Sequence, residues 1–213
     1  MAELALALYA LYLMLAFGLR TWLQWRSTGS TGFHGVGGRP GSAEWLAGVG
    51  FVVALVLGAS APVLALLDLV EPLDALDRSG LHVAGVLLAL VGIALTLYAQ
   101  IAMGTSWRIG VDESERTELV TDGPFALVRN PIFSAMIPTA LGLTLMVPSV
   151  VALIGFAALV VALELQVRVV EEPYLIRAQG ASYEQYASGT GRFVPGLGRL
   201  SERESNGTNV MGS

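Results

Sequence analysis

Residues 132–165 read IFSAMIPTALGLTLMVPSVVALIGFAALVVALEL, and no charged side chain occurs in them before Glu164. Two apolar runs, over about residues 132–147 and 150–169, meet at Pro148-Ser149. A tight proline-containing turn between two such runs reads as a helical hairpin. A helix that crosses the hydrocarbon core needs roughly 20 mostly apolar residues. The second run has that length. The first is short and carries Pro138, which predicts a kinked or partly embedded helix.

Working outward, three further apolar stretches precede the hairpin, over about residues 4–22, 45–70 and 81–103. The expected fold is therefore all-α, a polytopic membrane bundle of about five transmembrane helices. Composition agrees. The chain has 213 residues, 54% hydrophobic and 14% charged, with a mean hydropathy of +0.65. A soluble domain of this length needs more charge to cover its surface. The N-terminus carries Glu3 where a secretory signal carries basic residues, so it reads as a retained first helix.

Several chemistries are excluded by what is absent. There is no Cys, which removes disulfides, thiolate nucleophiles and cysteine metal sites. All 12 basic residues are Arg, so a lysine Schiff base or a P-loop lysine is impossible. The net charge of −5 argues against nucleic acid. His34 and His82 are too few and too far apart for a histidine metal site.

Arginine placement sets an orientation. The first loop has Arg20, Arg26 and Arg39, and the third has Arg108, Arg116 and Arg129. The second loop has Arg78 among Glu71, Asp74 and Asp77, and the tail carries Arg177, Arg192, Arg199 and Arg203. The positive-inside rule then puts the N-terminus outside, with the first and third loops and the C-terminus cytoplasmic in the cell's inner or plasma membrane. Five spans satisfy that parity. The Gly/Ser/Thr-rich loop at 26–44 reads as a flexible linker without chemistry, and the tail at 196–213 as disordered.

Two polar segments fall on the expected cytoplasmic side. The first, residues 104–131, holds β-branched pieces near 107–111 and 118–121 that predict a small strand hairpin, then a Gly123-Pro124 turn. The second begins at the end of the last span. Glu164, Arg168 and Glu172 stand four apart and so share a helix face. They read either as a self-satisfying ion-pair ladder or as the wall of a cofactor pocket.

Motifs recur here in order: Gly123-Pro124-Phe125, Arg129-Asn130-Pro131-Ile132-Phe133, Glu171-Glu172-Pro173-Tyr174-Leu175, Gly180 with Tyr183 and Tyr186, and Arg192-Phe193-Val194-Pro195. Over residues 98–195 this set resembles the catalytic half of the isoprenylcysteine carboxyl methyltransferase family, which is related to the phospholipid N-methyltransferases. The chain departs from that family at Asn130, where His is usual, and at Phe125 and Phe133, where Tyr is usual. The resemblance implies an S-adenosylmethionine-dependent methyltransferase whose lipophilic acceptor arrives through the membrane. It implies a cofactor site among the Arg-Asn-Pro turn, the Glu-Glu helix and the hairpin. The prenyl-protein substrate is not carried over.

On residue type, the catalytic candidates are Arg129, Asn130 and Glu172. Cofactor contacts are expected from Arg129, Asn130, Pro131, Glu171, Glu172, Tyr183, Tyr186 and Trp107. Arg129 suits a bidentate pair with the cofactor carboxylate, and Glu171 or Glu172 suits its ammonium or ribose. Tyr183, Tyr186 and Trp107 offer faces for adenine or the sulfonium, and Asn130 an edge for adenine or the acceptor. A hydroxyl acceptor needs a general base, for which Glu172 is the candidate. Structural readings stand beside these: Arg129 as a positive-inside anchor, the tyrosines as an interfacial belt, and Arg192 as a tie for the tail or a lipid contact.

The chain divides into three regions: membrane helices at 1–103, a catalytic region at 104–195, and the tail at 196–213. No metal is expected. The partners are membrane lipids and a lipophilic small molecule. The rival classes are an NADPH-dependent membrane reductase of the sterol type and a non-enzymatic transporter or scaffold.

Overall fold

In the computed structural model, residues 1–31, 35–104 and 119–200 are described. The expected strand hairpin and Trp107 lie outside them. The main elements among the described residues are helices: α1 (Ala2–Thr28), α2 (Ala43–Leu66), α3 (Ser79–Met103), α4 (Pro131–Met146), α5 (Val150–Gln179) and α6 (Ala181–Gly189). Four of these, α1, α2, α3 and α5, are long and apolar enough to cross a membrane. α4 is a shorter apolar helix of 16 residues, about 24 Å at 1.5 Å per residue, and runs on through Pro138. The chain is an all-α polytopic membrane bundle.

The helices end where local chemistry ends them. α1 continues six residues past its expected limit of Trp22 and stops at Gly29, whose φ of +77° is the left-handed cap that glycine adopts without strain. The Ser42 hydroxyl accepts from the Trp45 amide at 3.2 Å and starts α2. Ser149 does the same for α5, accepting from Ala152. Between them, the Leu73 amide donates to the Pro148 carbonyl at 2.8 Å, holding the second loop against the hairpin turn.

α3 packs along α4 and α2 along α5, with α1 laid across both pairs. Small residues permit the α3–α4 approach. A Cβ on Gly92 would stand 2.2 Å from Thr139 Oγ1, and one on Gly142 would stand 2.5 Å from the Ala89 amide nitrogen. Gly92 of α3 and Gly142 of α4 thus let these two helices close up within this chain. Trp22 and Trp25 stay exposed at the end of α1, where amphipathic rings anchor a span at the interface.

Two helices contain a π-helical turn, Met14–Leu19 in α1 and Gln166–Glu171 in α5. Such turns frequently accompany functional sites. The turn in α5 shifts the register of everything beyond it, and this corrects the four-residue ladder. Arg168 pairs with Glu164 on an exposed face, whereas Glu172 is buried among other partners.

Candidate active site

α5 is 30 residues long, about 45 Å, so its last turns outrun a core of roughly 30 Å. Those turns, from Glu171 onward, are polar. Gly180 at φ +54° breaks the helix and sends α6 back across its end. On the other side, the Gly123–Ala126 3-10 turn leads through Arg129-Asn130 into α4, where Pro131 occupies the first helical position that suits its fixed φ.

The residues after α6 fold onto this junction and are pinned by it. The Arg129 amide donates to the Gly191 carbonyl at 2.8 Å, and the Asn130 amide and Nδ2 donate to the Arg192 carbonyl at 3.1 and 3.2 Å. Ser134 Oγ donates to the Phe193 carbonyl at 2.8 Å. Tyr186 donates its hydroxyl to the Phe125 carbonyl at 2.6 Å. At the centre lies Glu172. Its Oε1 accepts from Arg129 Nη2 at 2.5 Å and from Arg192 Nε at 2.8 Å, while its Oε2 accepts from Arg192 Nη2 at 2.8 Å.

Arg129 is 6% exposed, and its remaining Nη hydrogens are also engaged. Nη1 donates to the carbonyls of Ala187 and Thr190, and Nη2 donates to that of Gly198. A ligand carboxylate that took this guanidinium as a bidentate partner would have to displace those acceptors. Its Nε has no hydrogen-bond partner among the described residues. Burial alone would raise the Glu172 pKa. The hydrogen bonds from Arg192 and Arg129 outweigh it and hold the carboxyl below its ordinary value.

Beside this knot opens a cavity of about 350 Å³, within the range of small-molecule sites. Arg129, Asn130, Pro131, Glu171, Tyr183 and Tyr186 all lie on its wall. Glu172, expected as a catalytic group or base, is not on that wall and is paired with Arg129. Tyr183 is 2% exposed, with its phenol pKa raised by burial and then by the Glu172 charge. Burial pushes the Tyr186 phenol up to about 12. Their rings meet edge-on at 6.2 Å. Neither is an exposed belt residue.

Sequence reasoning missed half of the wall. Tyr12, Ala16 and Phe17 of α1, and Gly48, Phe51 and Leu55 of α2, line the cavity's apolar side. Gly35 and Val36 of the linker line it too, with Val36 seated against Gly48. That loop is not mere connection. Gln100 of α3 and Gln166 of α5 add two polar side chains to this wall. The π turns supply Ala16, Phe17, Gln166 and Glu171, so both border the same space.

The family model for phospholipid methyltransferases matches residues 81–182. No curated protein and no solved structure matches the chain. The matched stretch runs from α3 to the start of α6. It holds the Gly123-Pro124-Phe125, Arg129-Asn130-Pro131-Ile132-Phe133 and Glu171-Glu172-Pro173-Tyr174-Leu175 motifs, while Tyr183, Tyr186 and Arg192-Phe193-Val194-Pro195 lie beyond it, so this stretch of an integral membrane protein is similar to the phospholipid methyltransferases.

Proposed function

We propose that the chain is an S-adenosylmethionine-dependent methyltransferase that acts on a lipophilic acceptor delivered through the membrane. One observation carries this reading: a single cavity joins a polar end at Arg129, Asn130, Glu171, Tyr183 and Tyr186 to an apolar end between α1 and α2. A polar, charged donor and an apolar acceptor tail need those two environments in contact.

The donor set fits the cofactor's groups. Glu171, bonded by Gln166 Nε2 at 3.4 Å, is an acceptor for an ammonium or ribose hydroxyls. Tyr183 and Tyr186 present ring faces suited to adenine or to a sulfonium. Asn130 can bond an adenine edge, and Pro131 fixes the backbone there. Arg129 offers Nε, its one unpartnered donor among the described residues, to a carboxylate. Trp107 is retained as an aromatic contact from the 104–131 segment. When bound, the cofactor supplies a methyl group on sulfonium sulfur, which an acceptor lone pair takes as the C–S bond breaks and its electrons return to sulfur.

The protein's own contribution is placement, which accounts for much of the acceleration in such a displacement. Arg129, Glu172 and Arg192 are positioning residues that hold the tail over the polar end. A protic acceptor loses its proton, and Glu171 is the carboxylate on the wall able to take it. The arginine distribution puts the polar end on the cytoplasmic side. Calorimetric titration of detergent-purified protein with S-adenosylhomocysteine, run in parallel with NADPH, tests the class. Saturable binding of the nucleoside alone is expected. Binding of NADPH alone would move the chain to the reductases, and binding of neither would remove the enzyme reading.

A further inference from the structure

The apolar end of the cavity holds two buried polar groups, the Gln100 amide oxygen and the Tyr12 hydroxyl, that no described residue satisfies. Gln100 on α3 is 3% exposed and lies on the cavity wall. Its Nε2 donates to the Ala16 carbonyl at 2.8 Å, across to α1. Ala16 sits within the π-helical turn Met14–Leu19, where the regular ladder of backbone bonds is interrupted and a carbonyl can turn outward. That bond fixes the amide, so Oε1 is set as an acceptor. Oε1 is buried and has no hydrogen-bond partner among the described residues. The Tyr12 hydroxyl, on the same wall and beside Thr96, also lacks a hydrogen bond of normal geometry among the described residues.

An amide oxygen buried without a donor is costly, and an occupant of the cavity is the available source of one. The electrical character of the wall narrows what that occupant is. Its charged residues are Arg129 and Glu171, and Arg129 is already neutralised by Glu172. An anionic head group beside Gln100 would meet an acceptor oxygen and no free cation among the described residues.

Resting on the methyltransferase reading above, we propose that Gln100 is the head-group contact for the methyl acceptor. It selects an uncharged group that carries a proton, a hydroxyl or an N–H, over a carboxylate and over a group with no proton to donate. The α1 π turn is the device that holds it. This gives the N-terminal helices, which lie largely outside the family match, a direct part in acceptor choice.

The test compares four amphiphiles on one tail, 1-dodecanol, dodecanamide, dodecyl methyl ether and dodecanoate, at equal mole fraction in micelles. Thermal unfolding is followed in protein saturated with S-adenosylhomocysteine. The nucleoside's own stabilisation reports separately on the methyltransferase reading. The protic, uncharged amphiphiles are expected to raise Tm by about 5 °C at saturation, and the ether and the carboxylate to fall well short. Gln100→Leu should weaken the protic ligands roughly tenfold while leaving the nucleoside's shift intact. Gln100→Met is the second variant if Leu impairs folding. Equal stabilisation by the ether or the carboxylate, no stabilisation by either protic amphiphile, or unchanged ranking in the variant would each overturn the proposal. Even if neither variant folds, equal stabilisation by the ether or the carboxylate in the wild-type series overturns it.

Discussion

Glu172 and Arg192 form a two-point ion pair, Nε to Oε1 and Nη2 to Oε2, each at 2.8 Å, that fastens the segment after α6 to the end of α5. Arg129 completes it from the third side. Removing one partner of a buried pair leaves an uncompensated charge and typically costs about 3–5 kcal/mol. Glu172→Gln would strand two arginines at once. Its Tm is therefore expected to fall by roughly 6 °C or more, measured by thermal unfolding in detergent. A change within about 1 °C would show that the knot does not hold the tail.

The neighbouring carboxylate should behave in the opposite way. Glu171 is on the cavity wall and Glu172 is not. Glu171→Gln is expected to leave Tm nearly unchanged but to weaken S-adenosylhomocysteine binding by about tenfold to a hundredfold, the range for losing a charge-assisted hydrogen bond. Calorimetry on both variants reads the contrast directly. Equal affinity in Glu171→Gln would take Glu171 out of the cofactor site.

The sequence made the helices legible because apolar length is a local property. It reported the Pro148-Ser149 hairpin within a residue of where α4 and α5 meet. The motif residues were legible as a set, but their division of labour was not. Arg129 and Glu172 are 43 positions apart, and no pattern in either segment states that they bond. The π turn in α5 defeated the four-residue spacing that grouped Glu172 with Glu164, since an extra residue in one turn rotates every later side chain about the helix axis. Ala16, Phe17 and Phe51 look in sequence like any lipid-facing residue. Only the packing of α1 and α2 across the hairpin shows that they line a cavity.

Acid should undo the same knot. The Glu172 carboxyl titrates below its ordinary value when folded, so the unfolded chain binds its proton more readily. Its contribution is therefore complete above the ordinary carboxylate range and is lost as pH falls through the folded value, below about pH 4. Wild-type Tm should drop faster than that of Glu172→Gln on going from about pH 6 to pH 3. Parallel curves for the two proteins would mean that other carboxylates govern acid unfolding.

The α3–α4 seam sets how firmly the start of α4, and with it Arg129 and Asn130, is held. Gly142 admits no Cβ, because backbone atoms of Ala89 and Gly85 would lie 2.5 Å from it. Gly142→Ala must push the two helices apart, at a cost of roughly 1–3 kcal/mol for overpacking. Gly80, near the start of α3, has open space on its side. Gly80→Ala is the matched control and is expected to be neutral or slightly stabilising. Thermal unfolding of the pair, with S-adenosylhomocysteine affinity measured alongside, separates two outcomes. If the seam positions the site, Gly142→Ala loses both Tm and affinity. If only Tm falls, the cavity is held by α5, α6 and the tail, and α4 is carried by them.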